Sequence, residues 1–167
     1  QRYPKYPRVN ALKRLQEEIL RPELSITTDT AVYPGDTLSL NVTHANLNGF
    51  TVHYYKVNLP ATSPVLQKPI DDDFYKRYTQ RIHSKHIDLA RPSDYFQKDT
   101  VYKLTTPEEG IYAVQIVPDA NSSQKVSQLL TVTRLKLLSR SLAKKEFEAI
   151  VVDARSGQPV NDATIHM

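Results

Sequence analysis

The chain has 167 residues, 22 Lys and Arg against 18 Asp and Glu, five His, no Cys and no Trp. Without cysteine there is no disulfide, thiolate zinc site or cysteine nucleophile in it, and no run of about 18 apolar residues is present to span a membrane as a helix. The net charge of +4 lies wholly in residues 1–21, which hold six cations and two anions, while residues 22–167 hold sixteen of each; a nucleic-acid surface needs a basic stripe over the fold, so that class of partner is excluded.

Tyrosine outnumbers phenylalanine 10 to 4, proline stands at 11 and glycine at 4, a composition that suits strands and their connections. Residues 1–8, with Pro4 and Pro7, read as an extended linker. Asn10 to Leu20 reads as a helix, with Leu12, Leu15 and Ile19 on one face, Asn10 as N-cap and Pro22 as the stop. The expected role of its apolar face is packing on a neighbouring domain.

Leu24 to Asn58 is the most informative stretch. A short strand-like run leads to a Tyr33-Pro34-Gly35-Asp36 turn. Thr37 to His44 then alternates, placing Leu38, Leu40 and Val42 on one face and Thr37, Ser39, Asn41 and Thr43 on the other, as in a half-buried strand. The Ala45–Gly49 loop and an aromatic run from Phe50 to Val57 follow. Strand, turn, strand, loop, strand predicts the opening of a β-sandwich.

Residues 59–92 read as an insertion, introduced by Pro60, Pro64 and Pro69, which disfavour a central strand. Asp71, Asp72 and Asp73 are placed to cap a helix through Phe74, Tyr75, Tyr78 and Ile82. Regular alternation returns at Thr100–Leu104, then after the Thr105–Gly110 turn at Ile111–Val117. Both faces of that last run are apolar, which predicts a strand in the middle of a sheet, covered on each side. Asp119–Ser123 reads as a hairpin loop. Lys125–Leu138 is strand-like and long enough to bend or to leave one domain for the next. Lys144–Val152, a turn at Ala154–Pro159 and Val160–Met167 form a second strand–turn–strand unit, about 120 residues after the first, near the size of one sandwich. The expected organisation is a linker and helix over 1–21, a β-sandwich over 22–138 and the first strands of a following domain over 139–167, the whole being part of a longer chain.

Few residues carry candidate chemistry. His83 and His86, three apart, would share a face if helical, but no third ligand has metal-site spacing. His44 and His53 flank the third strand and are expected to face solvent or a neighbour. The three aspartates lack the alternating ligands and distal Glu of a calcium loop, which leaves the helix-cap reading. Ser84 has an adjacent His and no orienting acid, and there is no Gly-x-Ser-x-Gly or glycine-rich phosphate loop. Asn41 and Asn121 begin Asn-x-Ser/Thr triplets, the first inside a strand. No catalytic, cofactor-binding or metal-binding residue is assigned, and no cofactor.

Three segments together resemble the macroglobulin-type domains of the bacterial α2-macroglobulin family. They are Thr27-Thr28-Asp29 with Val32-Tyr33-Pro34-Gly35-Asp36-Thr37, then Thr106-Pro107-Glu108-Glu109-Gly110-Ile111-Tyr112, then Val151 to Val160 (Val-Val-Asp-Ala-Arg-Ser-Gly-Gln-Pro-Val) with Ala163-Thr164. The resemblance spans roughly residues 22–167, and the 59–92 insertion departs from it. It implies an all-β, immunoglobulin-like antiparallel β-sandwich with a short N-terminal helix. It further implies a non-enzymatic scaffold piece of a protease-trapping inhibitor in the periplasm or cell envelope. Its partners would be neighbouring macroglobulin domains and, through the full-length protein, proteases; the segment itself would touch neither nucleic acid nor membrane. Members with a Cys–Gln thioester exist, and this chain has no Cys to form one. The reading from another class is an immunoglobulin-like binding module of a surface adhesin or polysaccharide-handling protein.

Overall fold

The structure, a computed structural model, describes residues 7–89, 95–105, 108–119, 124–142 and 147–165. Of the linker expected over residues 1–8, residues 1–6 lie outside the described residues, as do the Thr106-Pro107 step and the Asn121 triplet, while residues 7–8 are helical and not extended.

A helix, α1 (Pro7–Leu20), precedes the strands. It begins three residues before the expected Asn10 N-cap, because proline is well suited to the first helical position, where its missing N–H has no intrahelical partner to lose. At the other end, the Asn46 side-chain amide donates to the carbonyls of Ile19 (2.8 Å) and Arg21 (3.0 Å). These are among the carbonyls that a helix terminus leaves without partners.

Strand β1 (Glu23–Thr27) pairs antiparallel with β3 (Thr37–Ala45), and β3 with β6 (Lys98–Thr105), forming a three-stranded sheet in the order β1-β3-β6. Facing it in the sandwich is a five-stranded sheet: β2 (Ala31–Val32), β8 (Val126–Val132), β7 (Gly110–Pro118), β4 (Gly49–Val57) and β5 (Thr79–Asp88), in the order β2-β8-β7-β4-β5. Between β1 and β2 the chain crosses from one sheet to the other. The crossover is pinned by Thr28 Oγ1 donating to the Ser39 carbonyl (3.0 Å) and by Thr131 N–H donating to the Thr30 carbonyl (2.8 Å).

One core fills the space between the sheets. Leu38, Leu40 and Val42 of β3 and Leu104 of β6 meet Phe50, Val52 and Tyr54 of β4, Tyr112, Val114 and Ile116 of β7, and Leu130 and Val132 of β8. The inward face of β3 is therefore the one the alternation predicts. Tyr54 stacks on Tyr112 at 5.2 Å between ring centroids. Near the start of β7, Tyr112 Oη donates to the Glu108 carbonyl (2.8 Å). A tyrosine whose hydroxyl returns to the backbone a few residues upstream is a corner lock of immunoglobulin-type sandwiches, and the strand order agrees with that connectivity.

The insertion is shorter than the sequence suggests. After β4 come a 3-10 turn (Pro64–Gln67) and α2 (Asp72–Tyr78), but Thr79–Asp88 is strand β5. Ile82 therefore lies in a strand and not on the helix. β5 is an edge strand, paired among the described residues with β4 alone, and nearly all its residues are exposed. An edge strand guarded by charged side chains on both faces shows no apolar alternation, which is why the sequence conceals it. Asp71 does cap α2, its Oδ1 accepting from Phe74 N–H at 2.7 Å. The helix lays Phe74 and Tyr75 on the outer face of the five-stranded sheet, against Val57, Ala113, Tyr55 and Leu129. That second small core covers β7 from outside, so β7 is buried on both faces, as its composition predicts.

The strand-like run from Lys125 to Leu138 breaks at Thr133-Arg134. Beyond the break, β9 (Leu135–Ser141) pairs antiparallel with β10 (Phe147–Asp153) in a separate two-stranded sheet. The sandwich strands thus end at Val132, not at 138, and β9 belongs wholly to this two-stranded second sheet, outside the sandwich. Past the turn after β10 the chain rejoins that strand at the Val152–Pro159 bridge, where Asp153 N–H donates to the Gln158 carbonyl (2.9 Å) and Val160 N–H to the Val151 carbonyl (2.9 Å). β10 takes β9, rather than the residues after 160, as its main partner.

Candidate functional site

The histidines do not converge. In β5, residues three apart point to opposite faces of the sheet, so His83 and His86 cannot share a metal. Opposite Tyr54 in the β4 register, His83 lies on the inward side of the edge; His86, opposite Thr51, lies on the outward side. Its Nδ1 is 3.2 Å from Thr51 Oγ1 and its Nε2 3.2 Å from Asp88 Oδ1 and 3.7 Å from Asp119 Oδ2. Among the described residues, no group of three or more His, Asp or Glu is arranged to hold a metal.

His44 is buried, not solvent-facing. It continues the inward row of Leu38, Leu40 and Val42, with Nε2 2.9 Å from Thr100 Oγ1 and Nδ1 without a partner. Burial lowers its pKa, with Lys98 acting in the same direction and Asp99 opposing. His53 lies on the outer face, Nδ1 2.9 Å from Ser84 Oγ. Burial and the nearby Arg81 lower its pKa too. Ser84 and His53 therefore form a hydroxyl–imidazole pair that the sequence alone does not reveal, since they are 31 residues apart. The pair lies on an exposed strand face, and no acid is bonded to the imidazole among the described contacts, so it lacks the third member that orients a catalytic base.

The aspartates over Asp71–Asp73 serve α2. Asp71 caps it, Asp73 pairs with Arg77 at 3.3 Å, and Asp72 pairs with Lys125 across the β7–β8 connection. The hydrogen bond and charge of Lys125 hold the Asp72 carboxyl below its usual pKa. Asn41 lies on the exposed side of β3, as expected.

Among the described residues, α1 and the β9–β10 sheet each leave a group of apolar side chains in solvent. On α1, Leu12, Leu15 and Ile19 are 64%, 53% and 50% exposed, so among the described residues the predicted stripe is no more than half covered. On the second sheet, Leu135, Leu137, Leu138 and Ile150 are about half exposed. Among the described residues, no helix is long and apolar enough to cross a membrane.

A set of long-range polar contacts sits where the β9–β10 sheet meets the sandwich. It joins the Tyr33–Asp36 turn to the turn after β10. Gly35 has φ of +82°, and Asp36 N–H closes the turn onto the Tyr33 carbonyl at 3.2 Å. The Arg155 guanidinium lies 4.1 Å from the centroid of the Tyr33 ring and pairs with Asp36. Tyr33 Oη donates to Asp153 Oδ2 at 3.3 Å, while Asp153 Oδ1 accepts from Ser156 N–H (2.8 Å), Ser156 Oγ (2.9 Å) and Arg155 N–H (3.1 Å). Those bonds, led by the ones from Ser156, hold the Asp153 carboxyl below its usual pKa.

No protein-family model matches the chain, and no curated protein does. Among solved structures, the CARDB domain of a Pyrococcus furiosus protein, described in complex with di-metal ions, is 13% identical, with a TM-score of 0.39 over 67% of this chain and 89% of that one. Superoxide reductase (neelaredoxin) from Ignicoccus hospitalis is 10% identical, with a TM-score of 0.38 over 67% and 80%. The sporulation control protein Spo0M from Bacillus subtilis is 10% identical, with a TM-score of 0.39 over 66% and 48%. Likenesses this distant assign neither metal binding nor catalysis to the chain.

Proposed function

We propose that the chain is a non-enzymatic scaffold segment of an α2-macroglobulin-like, protease-trapping inhibitor of the bacterial cell envelope, built from consecutive macroglobulin-type β-sandwiches. One observation carries the reading. Two of the three motifs behind the resemblance, Tyr33-Pro34-Gly35-Asp36 and Asp153-Ala154-Arg155-Ser156-Gly157, lie about 120 residues apart in sequence and touch in space. Turns that recur at the start of successive units and contact one another suit a chain of sandwiches better than a single binding module. The exposed stripes on α1 and β9 suit surfaces that adjoining domains cover.

The test is made on the protein that carries this segment. Incubated with an active endopeptidase, it is expected to co-elute with the enzyme and to shield large protein substrates from it. The 167-residue segment alone is expected to do neither. A carrier protein that captures no protease, or an isolated segment that inhibits one stoichiometrically, contradicts the reading. Cell fractionation checks the envelope location.

A further inference from the structure

We propose that the sandwich and the β9–β10 sheet are locked in one orientation by a polar clamp, with Arg155 as its movable bolt, so that the junction is rigid at low ionic strength and loosens as salt rises. This does not depend on the functional reading above.

The connection between the two sheets is two residues long, Thr133-Arg134, and each is tethered. Thr133 N–H donates to the Val32 carbonyl (2.9 Å), and Thr133 Oγ1 accepts from Leu135 N–H (3.0 Å). Arg134 N–H donates to Glu109 Oε1 (3.0 Å), and the Arg134 guanidinium Nε lies 3.6 Å from the same oxygen. The Arg134 carbonyl in turn accepts from Ala154 N–H (2.6 Å). The linker is thus bonded to the sandwich on one side and to the turn after β10 on the other, and has little freedom of its own.

A second point of attachment turns this strap into a clamp. Arg155 reaches from the turn after β10 to the Tyr33–Asp36 turn, covering the aromatic face and pairing with the carboxylate. Two separated attachments remove the rotation that one would leave. The guanidinium does both jobs together: its carbon lies 4.1 Å from the ring centroid and one arm of its fork, Nη2, pairs with Asp36 Oδ1. A lysine offers a point charge without the fork. Asp153 stiffens the loop that presents Arg155 by taking three donors from residues 155 and 156 on one oxygen and the Tyr33 hydroxyl on the other.

The clamp is exposed. The Arg155 and Asp36 side chains are 60% and 48% accessible. Ion pairs at such positions are screened by salt, whereas an apolar interface would tighten or stay unchanged. Removing the guanidinium is expected to shift the docked-to-undocked ratio by about tenfold, the combined weight of a surface ion pair and a cation–π contact.

The absence of native cysteine makes the test direct. Lys103→Cys on exposed β6 and Ser139→Cys on exposed β9 carry spin labels for a pulsed-dipolar distance measurement. The labelled parent is expected to give one narrow distribution at low salt that widens at 1 M salt, where screening extends over only about 3 Å. Arg155→Ala is expected to lose the narrow distribution at low salt, and Arg155→Lys to recover it only in part. Arg140→Ala, which breaks the Arg140–Glu148 pair inside the second sheet (2.6 Å), is expected to leave it unchanged. Unaltered far-ultraviolet circular dichroism separates loosening from unfolding. A narrow, salt-independent distribution in Arg155→Ala overturns the proposal, as does a broad one in the parent at low salt.

Discussion

The Arg155 guanidinium stands 4.1 Å from the centre of the Tyr33 ring, 122 residues earlier in the chain. That contact gives the Tyr33-Pro34-Gly35-Asp36 turn a second duty. It turns the chain into β3, and it also receives the sheet that follows the sandwich. Inside the sandwich, two tyrosines stacked on each other make opposite predictions.

Tyr112 Oη donates to the Glu108 carbonyl, whereas Tyr54 Oη is buried with no partner. Burial correspondingly pushes the pKa of Tyr54 far up. Tyr112→Phe is expected to cost about 1–2 kcal/mol by leaving a carbonyl without its donor. Tyr54→Phe removes an unsatisfied hydroxyl and keeps the stack, so it is expected to be neutral or stabilising. Urea denaturation of both variants checks the contrast, and equal losses would mean that Tyr54 Oη has a partner.

Gly49 opens β4 under crowding. A Cβ there would lie 2.5 Å from Asp119 Oδ2 and 2.8 Å from the Ile87 carbonyl oxygen. The second of these is backbone and cannot rotate away. Gly49→Ala is expected to destabilise by about 1–3 kcal/mol, the usual cost of overpacking. Adding Asp119→Ala is expected to restore only part of it. Full restoration would mean that the β5 backbone yields freely.

His44 and His53 both have pKa values below 6.5, chiefly through burial. A base depressed in the folded state takes up protons more readily when unfolded. The sign is therefore fixed: stability is full above pH 6.5 and falls as pH drops from 6.5 toward the folded values. Thermal melts across that window are expected to show Tm declining with acid. His44→Gln combined with His53→Gln is expected to flatten the decline. A slope that survives the double substitution assigns the effect elsewhere.

Leu40 is wholly buried on the inward face of β3. Leu40→Asp places a carboxylate between the two sheets with nothing described to pair it. The expected loss exceeds about 4 kcal/mol, as for other unpaired buried charges, and the cooperative unfolding transition should vanish. A folded variant would place the inward face of β3 on its other side.

The legible and illegible parts of this fold divide along burial. In β3, Leu38, Leu40 and Val42 alternate with polar residues because one face is covered and the other is wet, and such a strand announces itself. β7 was equally readable from apolar residues on both faces. β5 was hidden because both its faces are wet, so His83 and His86 looked like helical neighbours when they are on opposite sides of a strand. His44 reads as outward because a polar residue ending an apolar row looks like a boundary, although the row continues inward through it. The junction could not be seen at all. Its motifs were recognisable one at a time, but nothing local to Arg155 indicates that its partners are Tyr33 and Asp36.

A rigid junction requires the sandwich and the β9–β10 sheet to tumble together. Backbone 15N relaxation compares amides of β7 with those of β9 and β10 at low salt. One shared rotational correlation time is the predicted result, because the linker and the Arg155 clamp fix both ends of the junction. A distinctly shorter correlation time for β9 and β10, with the sheet still folded, would show an independently moving unit and contradict the account.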